Sequence, residues 1–500
     1  MRPAQVERAA GTNHAIGAAV AAPRLTVVGH CTSTTARILC CADSARLARL
    51  AWRAGDASGV VEVTLAPAPP YTLGVFELRD LPAGAEPAFG VAVADEPGAL
   101  PAAEQLLESP PGKFRLLPSD RAPRVALLSC NGVYEFKDPA RRFDMWRRLR
   151  REIEAGAVDL VVHAGDQVYA DEVVKRYARA ARTGKDPQAL LATVTAEYRR
   201  LYVERFWSLP DVAAVLNSRP NIMTWDDHDI DEGWGSNPND DQPWRRLFFR
   251  AAQQAFSEFQ ASIGPPRIDK GSFACGFTHG EIAFLLLDGR SHRLYSQNRV
   301  VGEAQLEAAR RWLAALPPST QRVYLVLGIP PIHAKLNTVA AILRWTPFSE
   351  PYASDLRDGW MSKGNRRECE KLMWLLVEFC RAHPSTDVTI LSGDVHVGNI
   401  GQLHHFQTGI MWQVTSSGIG SPPPEGLSGW LMENVSRPAI DLGAGVRGKL
   451  MRITEHGHDL MHRRNFALLD TDAAPALRVR LYGEALPEPR EFLLPSRASR

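Results

Sequence analysis

The pattern of hydrophobic and polar positions changes near residue 120. In the first part of the chain, Gly, Pro and Asp clusters separate short apolar or β-branched runs, at 25–28, 36–39 and 59–65. Runs with this punctuation predict strands joined by tight turns. We therefore expect residues 24–120 to form a small all-β domain, a sandwich of immunoglobulin or fibronectin type.

After residue 124, continuous apolar runs alternate with helical periodicity. Apolar residues recur at 143, 146, 149 and 153, which is the spacing of one helix face. Apolar strands are expected at 125–128, 160–162, 221–225, 282–287, 323–327 and 388–391. Fully apolar strands between helices predict a sheet covered on its faces, so we assign residues 121–490 to an α/β domain.

Composition and charge limit the kind of protein. The chain has 500 residues, 45% of them hydrophobic, and a net charge of only +2, so no nucleic-acid partner is expected. Seven cysteines without a Cys-x-x-Cys pair favour a reducing compartment. The weak apolar stretch at 15–22 is not a convincing signal peptide, and no run reaches the roughly 18 residues of a membrane span. We expect a cytoplasmic protein without a transmembrane segment.

Four of the predicted strands end in polar residues that could bind a ligand. In α/β sheets, ligands bind outside the carboxyl ends of the strands, so these four endings could form one site. The four motifs are Ser129-Cys130-Asn131, Gly165-Asp166-x-x-Tyr169, Asp226-Asp227-His228-Asp229 and Gly393-Asp394-x-His396.

The residue types in these motifs favour metal ions. Several carboxylates packed together repel one another unless cations neutralise them, and paired metals suit phosphoryl transfer. Tyr and Cys ligands must ionise, which indicates a strongly charge-withdrawing ion such as ferric iron, whereas carboxylates suit Ca²⁺ or Mg²⁺. Each motif taken alone has a structural explanation, as a turn, a packed thiol or a helix N-cap. Their occurrence in series favours the metal site.

The series resembles the motifs of the alkaline phosphatase D, or PhoD-like, family of metallophosphoesterases in the calcineurin-like superfamily. The resemblance covers about residues 124–420, with supporting similarity at 287–293, 305–313 and 355–360. It implies an α/β calcineurin-like sandwich of two sheets flanked by helices, preceded by the small β-domain. It also implies Fe³⁺ and Ca²⁺ as cofactors, with other divalent metals possible.

The resemblance assigns metal ligands residue by residue. It implies that iron is held by Cys130, Asp166, Tyr169 and His396. Asp166 would bridge to a second metal, which Asp227 and Asp394 would hold. His333 is left open, as a further ligand or as a histidine that is hydrogen-bonded within its loop.

The same resemblance suggests residues that act on the substrate. His228 would face the leaving-group oxygen, to stabilise charge or donate a proton, and Asp229 is a second catalytic candidate. Asn131 stands where the family usually has Gln and is a candidate phosphate contact. Arg290 could bind the phosphate through its fork of donors, although structural pairing with Asp288 is the favoured alternative.

The expected function is hydrolysis of small phosphate esters, of the alkaline phosphatase or phosphodiesterase type. A metal-activated hydroxide would attack phosphorus while the ions neutralise the developing charge. Two alternatives stay open. One is a nuclease or a phospholipid-directed phosphodiesterase on the same fold, and the other is a metal-stabilised binding protein without turnover.

Overall fold

The computed structural model describes residues 21–108, 112–184, 186–333, 357–424, 439–471 and 476–497. The start of the chain, where we expect no export signal, lies outside the described residues up to residue 20. Residues 355 and 356 of the supporting similarity also lie outside them. Within the described residues the fold is mixed α/β and rich in sheet, with 22 strands in four sheets.

The first strands form two antiparallel sheets of four strands each. One sheet has the order β1 (Leu25–Cys31), β2 (Ala36–Ala42), β6 (Tyr71–Leu78) and β5 (Ala66–Ala68). The other has the order β4 (Ala57–Thr64), β3 (Leu47–Ala54), β7 (Ala88–Ala94) and β8 (Gly112–Lys113), and the short helix α1 (Ala103–Glu108) contacts β3 and β7. Buried side chains from both sheets, among them Ile38, Leu50 and Phe76, form one core. Two packed antiparallel sheets are the arrangement of a β-sandwich.

The remaining strands form two larger sheets. A six-stranded sheet has the order β11 (Asn221–Thr224), β10 (Leu160–Ala164), β9 (Val125–Leu128), β20 (Asn465–Asp470), β21 (Leu477–Gly483) and β22 (Arg490–Leu494). An eight-stranded sheet has the order β12 (Cys275–His279), β13 (Ile282–Leu286), β14 (Arg322–Leu327), β15 (Asp387–Ser392), β17 (Gly409–Thr415), β16 (Asn399–His405), β19 (Val446–Leu450) and β18 (Ile440–Asp441). The central pairs β9–β10–β11 and β13–β14–β15–β17 are parallel.

Alternation along the apolar strands explains how the layers stack. Leu127 and Val162 face the eight-stranded sheet and share a core with Phe284 and Val326. Their neighbours Leu128 and Val161 point to the opposite face, because successive side chains of a strand alternate between faces. Both faces of the parallel strands are therefore buried, as their unbroken apolar sequence predicts.

Helices cover the outer faces of these two sheets. The six-stranded sheet packs against α2 (Asp144–Glu154), α3 (Asp171–Thr183), α4 (Pro187–Arg200), α5 (Pro210–Ser218) and α6 (Pro243–Phe259). The eight-stranded sheet packs against α7 (Glu303–Ala314) and the helix Arg366–Ala382, here α8. Single 3₁₀ turns lie at Pro97–Ala99, Asp227–Asp229, Ala261–Ile263 and Tyr295–Gln297, and a π-turn at Leu201–Phe206. No helix within the described residues has the length and apolar character of a membrane span.

The N-terminal β-sheet shares its outer face with the helical layer. Leu25, Val27 and Leu39 belong to the same buried cluster as Val215 of α5 and Ile263. Hydrogen bonds also cross this contact, since the Asn221 Nδ2 donates to the Val28 carbonyl at 3.0 Å and the Thr26 hydroxyl to Asn217 Oδ1 at 2.7 Å. The N-terminal strands are thus packed against the rest of the chain and share part of its hydrophobic core.

Gly29 provides a test of this contact. A Cβ at Gly29 would overlap the carbonyl oxygen and Cβ of Ile263, so Gly29→Val should lower the free energy of unfolding by about 2–3 kcal/mol through overpacking. Equilibrium denaturation in urea measures the change. Gly98→Ala is the control, because nothing lies within 4 Å of its added Cβ. Equal stability of both variants would contradict the close packing.

Candidate metal centre

The carboxyl ends of β9, β10, β11 and β15 bring potential ligands together. Ligand atoms lie within 4.8 Å of one another in three groups: Cys130, Asp166 and His396; Asp166, Asp227 and His228; and Asp226, Asp227 and Asp394. Asp166 belongs to the first two groups, and Asp227 to the last two. The shared residues join the three groups into one cluster, so the residues predicted from four separate motifs lie in one place.

The backbone at this cluster is unusual. Four non-glycine residues have left-handed φ angles, namely Cys130 (55°), Asp166 (56°), Asp394 (68°) and His396 (53°). Such conformations are uncommon outside glycine and each stores on the order of 1 kcal/mol or more. Hydrogen bonds between the first two loops hold them, from Cys130 N to Gly165 O at 3.3 Å and from Asn131 N to Asp166 O at 2.9 Å. The sharp turns direct the side chains that follow each strand to a common point.

The surroundings of the sulfur and phenol donors favour their neutral forms; Cys130 is buried and Tyr169 is half-buried. Cys130 Sγ donates to Asp166 Oδ2 at 3.2 Å, and burial raises the pKa of this thiol to about 12. The Tyr169 hydroxyl lies 2.7 Å from Ser421 Oγ, and burial followed by the charge of Cys130 raises the Tyr169 pKa well above its usual value. A cation beside these groups would favour the thiolate and phenolate, which are the forms that bind metals.

The carboxylates of the cluster lack enough positive partners within the protein. Burial, and then neighbouring negative groups, raise the pKa of both Asp166 and Asp394 well above the usual range. Among the described residues, the buried oxygens Asp166 Oδ1 and Asp226 Oδ2 have no hydrogen-bond partner. A desolvated carboxylate oxygen without a partner is unfavourable unless a cation binds it. The donor set therefore fits metal ions.

The pKa values of the two histidines of the cluster are shifted in opposite directions. His228 Nδ1 lies 2.9 Å from Asp171 Oδ2, and its ring stacks on Tyr169 with 4.3 Å between centroids. Burial lowers the His228 pKa, but Asp171 and Asp227 raise it more, so the pKa lies well above its usual value. Burial and the nearby His228 charge lower the pKa of His396 to about 4. Both effects favour the neutral imidazole of His396, which is the form that binds a metal.

Asp229 contacts the protein backbone. Its Oδ2 accepts the N–H groups of Asp166 at 2.9 Å and Asp226 at 3.0 Å, and burial raises its pKa to about 7. Its Oδ1 lies 3.4 Å from Gln260 Nε2. These bonds tie two ligand-bearing loops together, so the geometry favours a positioning role over the direct catalytic role expected from the sequence.

The two candidate substrate contacts are also engaged within the protein. Asn131 accepts a hydrogen bond from Trp146 Nε1 at 2.8 Å and donates to the Gln167 carbonyl at 3.3 Å. Asn131 is buried, so its amide is committed to holding the loop. The geometry does not favour the expected contact between Asn131 and phosphate.

Arg290 is fully buried among carboxylates. Its guanidinium binds Asp226 and forms a two-point contact with Asp358 at 2.9 and 2.8 Å. The expected pairing with Asp288 is wrong in its partner, because Asp288 Oδ1 accepts the Arg290 backbone N–H at 3.0 Å instead. Arg290 supplies a fixed positive charge beside the cluster. Its guanidinium donors are already bonded to Asp226 and Asp358, which does not favour substrate binding.

Several residues at the site were not assigned from the sequence. Asp226 was visible in the acidic motif, but adjacent carboxylates do not show which one faces a ligand. Asp171 and Ser421 had no local signal, since each acts through a contact with a residue far along the chain. His333, left open above, belongs to none of the three ligand groups found among the described residues.

A cavity of about 500 Å³ leads to the cluster at His396. The loop after Cys130 and the loop after Ser421 form its walls. It is lined by Glu135, Phe136, Lys137, Asp138, His396, Pro422, Pro423 and Pro424. A small molecule can therefore approach the candidate centre between these two loops.

Comparisons with known proteins agree with the strand-end motifs. Residues 125–455 match the family described as PhoD-like phosphatase. Alkaline phosphatase D of Bacillus subtilis (strain 168) is 25% identical over 313 residues, which are 59% of this chain and 50% of that protein. An uncharacterized protein of Saccharomyces cerevisiae is 24% identical over 359 residues, with 56% of this chain and 50% of that protein covered. The chain thus spans about half the length of these curated relatives.

The fold has a counterpart among solved structures. The structure described as PhoD superimposes with a TM-score of 0.61 at 15% sequence identity. The superposition covers 95% of this chain and 91% of the other. At this identity the likeness concerns the fold, which is a mixed α/β fold similar to that structure.

Arg290→Met tests the buried charge network. The variant removes the positive charge between Asp226 and Asp358 and should lower the free energy of unfolding by about 3–5 kcal/mol, because it leaves buried carboxylates unpaired. Chemical denaturation measures this change. Arg310→Met on the exposed side of α7 is the matched control and should change stability by about 0.5 kcal/mol or less. A loss below about 1 kcal/mol for Arg290→Met would contradict the network.

Proposed function

Because the chain belongs to the PhoD-like phosphatase family, we propose that it is a metal-dependent hydrolase of phosphate esters, of the alkaline phosphatase or phosphodiesterase type. The observation that carries the proposal is the sharing of Asp166 between a group with Cys130 and His396 and a group with Asp227 and His228. A carboxylate common to two ligand groups suits a pair of bridged ions, which is an arrangement used for phosphoryl transfer.

Two kinds of ligand sets support two kinds of ion. Cys130, Asp166, Tyr169 and His396 would hold Fe³⁺, and Asp166, Asp227 and Asp394 would hold Ca²⁺ or another divalent metal. Asp226 Oδ2 is unpartnered beside the second set and could complete it. When bound, the ions would neutralise charge on the phosphoryl group and lower the pKa of the attacking water. The thiol and phenol donors suit the first ion, and the carboxylates suit Ca²⁺ or another divalent metal.

His228 is the residue we assign to the leaving group. Its Nδ1 is committed to Asp171 and its ring rests on Tyr169, so Nε2 is the nitrogen left to meet a substrate. Held in this orientation, the imidazolium can donate a proton to the departing alcohol oxygen or stabilise its charge. Asp171 acts as a positioning residue, and Asp229 holds the loops of Asp166 and Asp226 at a fixed separation.

The architecture we propose follows the same family. The two larger sheets would form the calcineurin-like sandwich of a catalytic domain at residues 121–490. The strands at 24–120 would form a structural domain of immunoglobulin or fibronectin type. The shared core between these parts supports a structural role for the first domain, since its strands contribute no member of the three ligand groups in the described chain. A cytoplasmic location stays a prediction.

The alternatives use the same centre differently. A nuclease or a phospholipid-directed phosphodiesterase would need the same metals, and only substrate comparison separates them from a phosphatase for small esters. A binding protein without turnover would have no need for an imidazole held by Asp171 next to the ligands. The proposal is tested first by phosphate release from p-nitrophenyl phosphate and nitrophenol release from bis(p-nitrophenyl) phosphate.

Metal content is the first expected outcome. The purified protein should contain iron together with a divalent metal such as calcium, measured by elemental analysis. A ferric ion bound by Tyr169 or Cys130 should give a visible charge-transfer band, and Tyr169→Phe should shift or remove that band if the phenolate is a ligand. Tyr177→Phe, on α3, is the matched control. Active protein that is colourless and free of iron would exclude the ferric assignment while leaving the esterase intact.

The neighbours Asp227 and His228 should respond differently to substitution. Asp227→Ala removes a proposed ligand, so metal and activity should be lost together. His228→Ala should keep its metal and lose about 10²–10⁴ in turnover, with a smaller loss for esters that have good leaving groups if the role is proton donation. Turnover and elemental analysis of each variant check both expectations.

Controls for this comparison lie far from the centre. Asp43→Ala and His456→Ala change exposed residues of the same types and should retain both metal and activity. Full activity of His228→Ala on every ester would disprove the catalytic assignment. The histidine would then serve only to orient its neighbours.

A further inference from the structure

Residues 416–421 follow strand β17 and lie beside the loop of Cys130. Backbone hydrogen bonds hold the segment there, since the N–H groups of Gly420 and Ser421 donate to the Cys130 carbonyl at 3.1 and 3.0 Å. Ser417 and Ser421 are fully buried, so their hydroxyl groups need partners within the protein. Those partners include two of the proposed iron ligands.

The Ser417 hydroxyl lies between two proposed ligands. Its Oγ is 3.1 Å from Cys130 Sγ and accepts the backbone N–H of His396 at 2.8 Å. The backbone of Ser417 is fixed by the amide of Asn465 on β20, whose Oδ1 accepts the Ser417 N–H at 3.1 Å and whose Nδ2 donates to the Ser417 carbonyl. The hydroxyl is therefore held in place, with its oxygen next to the sulfur.

Ser421 makes a similar pair of contacts to the phenol. Its Oγ is 2.7 Å from the Tyr169 hydroxyl oxygen and accepts the N–H of Gly132, in the loop after Cys130, at 3.1 Å. The Glu135 carboxyl is a further partner of Ser421, and a Cβ on Gly132 would overlap both Ser421 Oγ and Glu135 Oε2. Glu135 thus competes with Tyr169 for the single proton of the Ser421 hydroxyl.

The chemistry of the groups decides the direction of these hydrogen bonds. A serine hydroxyl has one proton and two lone pairs, and a backbone N–H already occupies a lone pair of each serine. A thiolate or a phenolate has no proton, so it can only accept. Once Cys130 and Tyr169 are in the forms that bind metals, the serine hydroxyl must be the donor in both contacts.

We propose that Ser417 and Ser421 are positioning residues, which donate hydrogen bonds to the metal-bound sulfur of Cys130 and the metal-bound oxygen of Tyr169. The inference rests on the ligand assignment of the proposed function, because it takes this thiol and this phenol as ligands of one ion. Hydrogen bonds to a ligand orient it and withdraw electron density from it. The two serines therefore strengthen the binding of the iron and reduce the electron donation of its two most polarisable ligands.

This role affects two properties that can be measured apart from turnover. Loss of a group that orients a ligand typically weakens metal binding about 10–100-fold. Loss of a donated hydrogen bond also raises the energy of the ligand electrons, so the charge-transfer band of a ferric site should move to longer wavelength. A general loss of stability would not by itself move this band.

Two alanine variants of the full-length, metal-loaded protein test the proposal. Ser417→Ala and Ser421→Ala should each release iron at a concentration of desferrioxamine, an Fe³⁺-selective chelator, that is about 10–100-fold lower than for the unaltered protein. Elemental analysis after equilibration and desalting measures the iron that is retained, with excess Ca²⁺ present to keep the second set of ligands occupied. The visible band of both variants, recorded before the chelator is added, should lie at longer wavelength.

Ser416→Ala is the matched control. Ser416 is buried in the same segment, and its hydroxyl donates to Asn465 Oδ1 at 3.0 Å. This variant should retain iron and keep its band in place, while urea denaturation shows how far loss of a buried serine hydroxyl alone lowers stability. Glu135→Ala removes the competing acceptor of the Ser421 proton, so it should neither weaken iron binding nor move the band to longer wavelength.

The outcomes separate this inference from the proposed function. Iron retention and band positions in Ser417→Ala and Ser421→Ala that match those of Ser416→Ala would overturn the inference and leave the esterase standing. An equal loss of iron in Glu135→Ala would overturn the role of Ser421, because the carboxylate would then account for the effect. Iron-free protein would overturn the inference together with the ferric assignment. Selective iron loss in the two variants without turnover on any phosphate ester would overturn the proposed function alone.

Discussion

The centre of this protein depends on the gathering of buried negative charge at the carboxyl ends of parallel strands. Asp227 lies within a few ångströms of Asp166 and, in a second group, of Asp226 and Asp394. Asp166, Asp226 and Asp227 are buried, and Asp394 is half-buried. Carboxylates in such surroundings repel each other and raise one another's pKa. Positive charge must therefore come from elsewhere, and the protein supplies only part of it through Arg290. The rest of the arrangement, including the thiol, phenol and imidazole donors, is consistent with metal ions.

The sheets explain why the acids can be held there. The apolar strands β9, β10, β11 and β15 are buried on both faces, so their ends are fixed by the cores on either side. Arg290 and Asp358 approach from other segments and complete the network beneath the site. The N-terminal sheet adds to this rigidity because it packs against the helices that cover β11 and its neighbours. Local charge repulsion is thus opposed by packing that extends over most of the chain.

The sequence predicted the parts of this arrangement that are local. Apolar runs identified the strands, and the residues directly after them identified the cluster, because strand ends and side chains are adjacent in the chain. The partners of those side chains could not be found in this way. Arg290 meets Asp358 and Asp171 meets His228 across 68 and 57 positions of sequence, and such pairs are decided by how helices and loops pack. The contacts of Asn131 with Trp146 and the Gln167 carbonyl join separate segments in the same way and were not visible in its motif.

The left-handed backbone at four candidate ligands restricts how this centre could change during evolution or design. Asp, Asn and His adopt that conformation more readily than other residues with side chains, whereas Val, Ile and Thr are strongly disfavoured because of their branched Cβ. Exchange among Asp, Asn and His at Asp166, Asp394 and His396 would therefore preserve the loops while altering the charge and softness of the donor set. The metal preference of the centre could therefore change without a change of fold. The left-handed turns limit the side chains that could replace the present ligands to a short list.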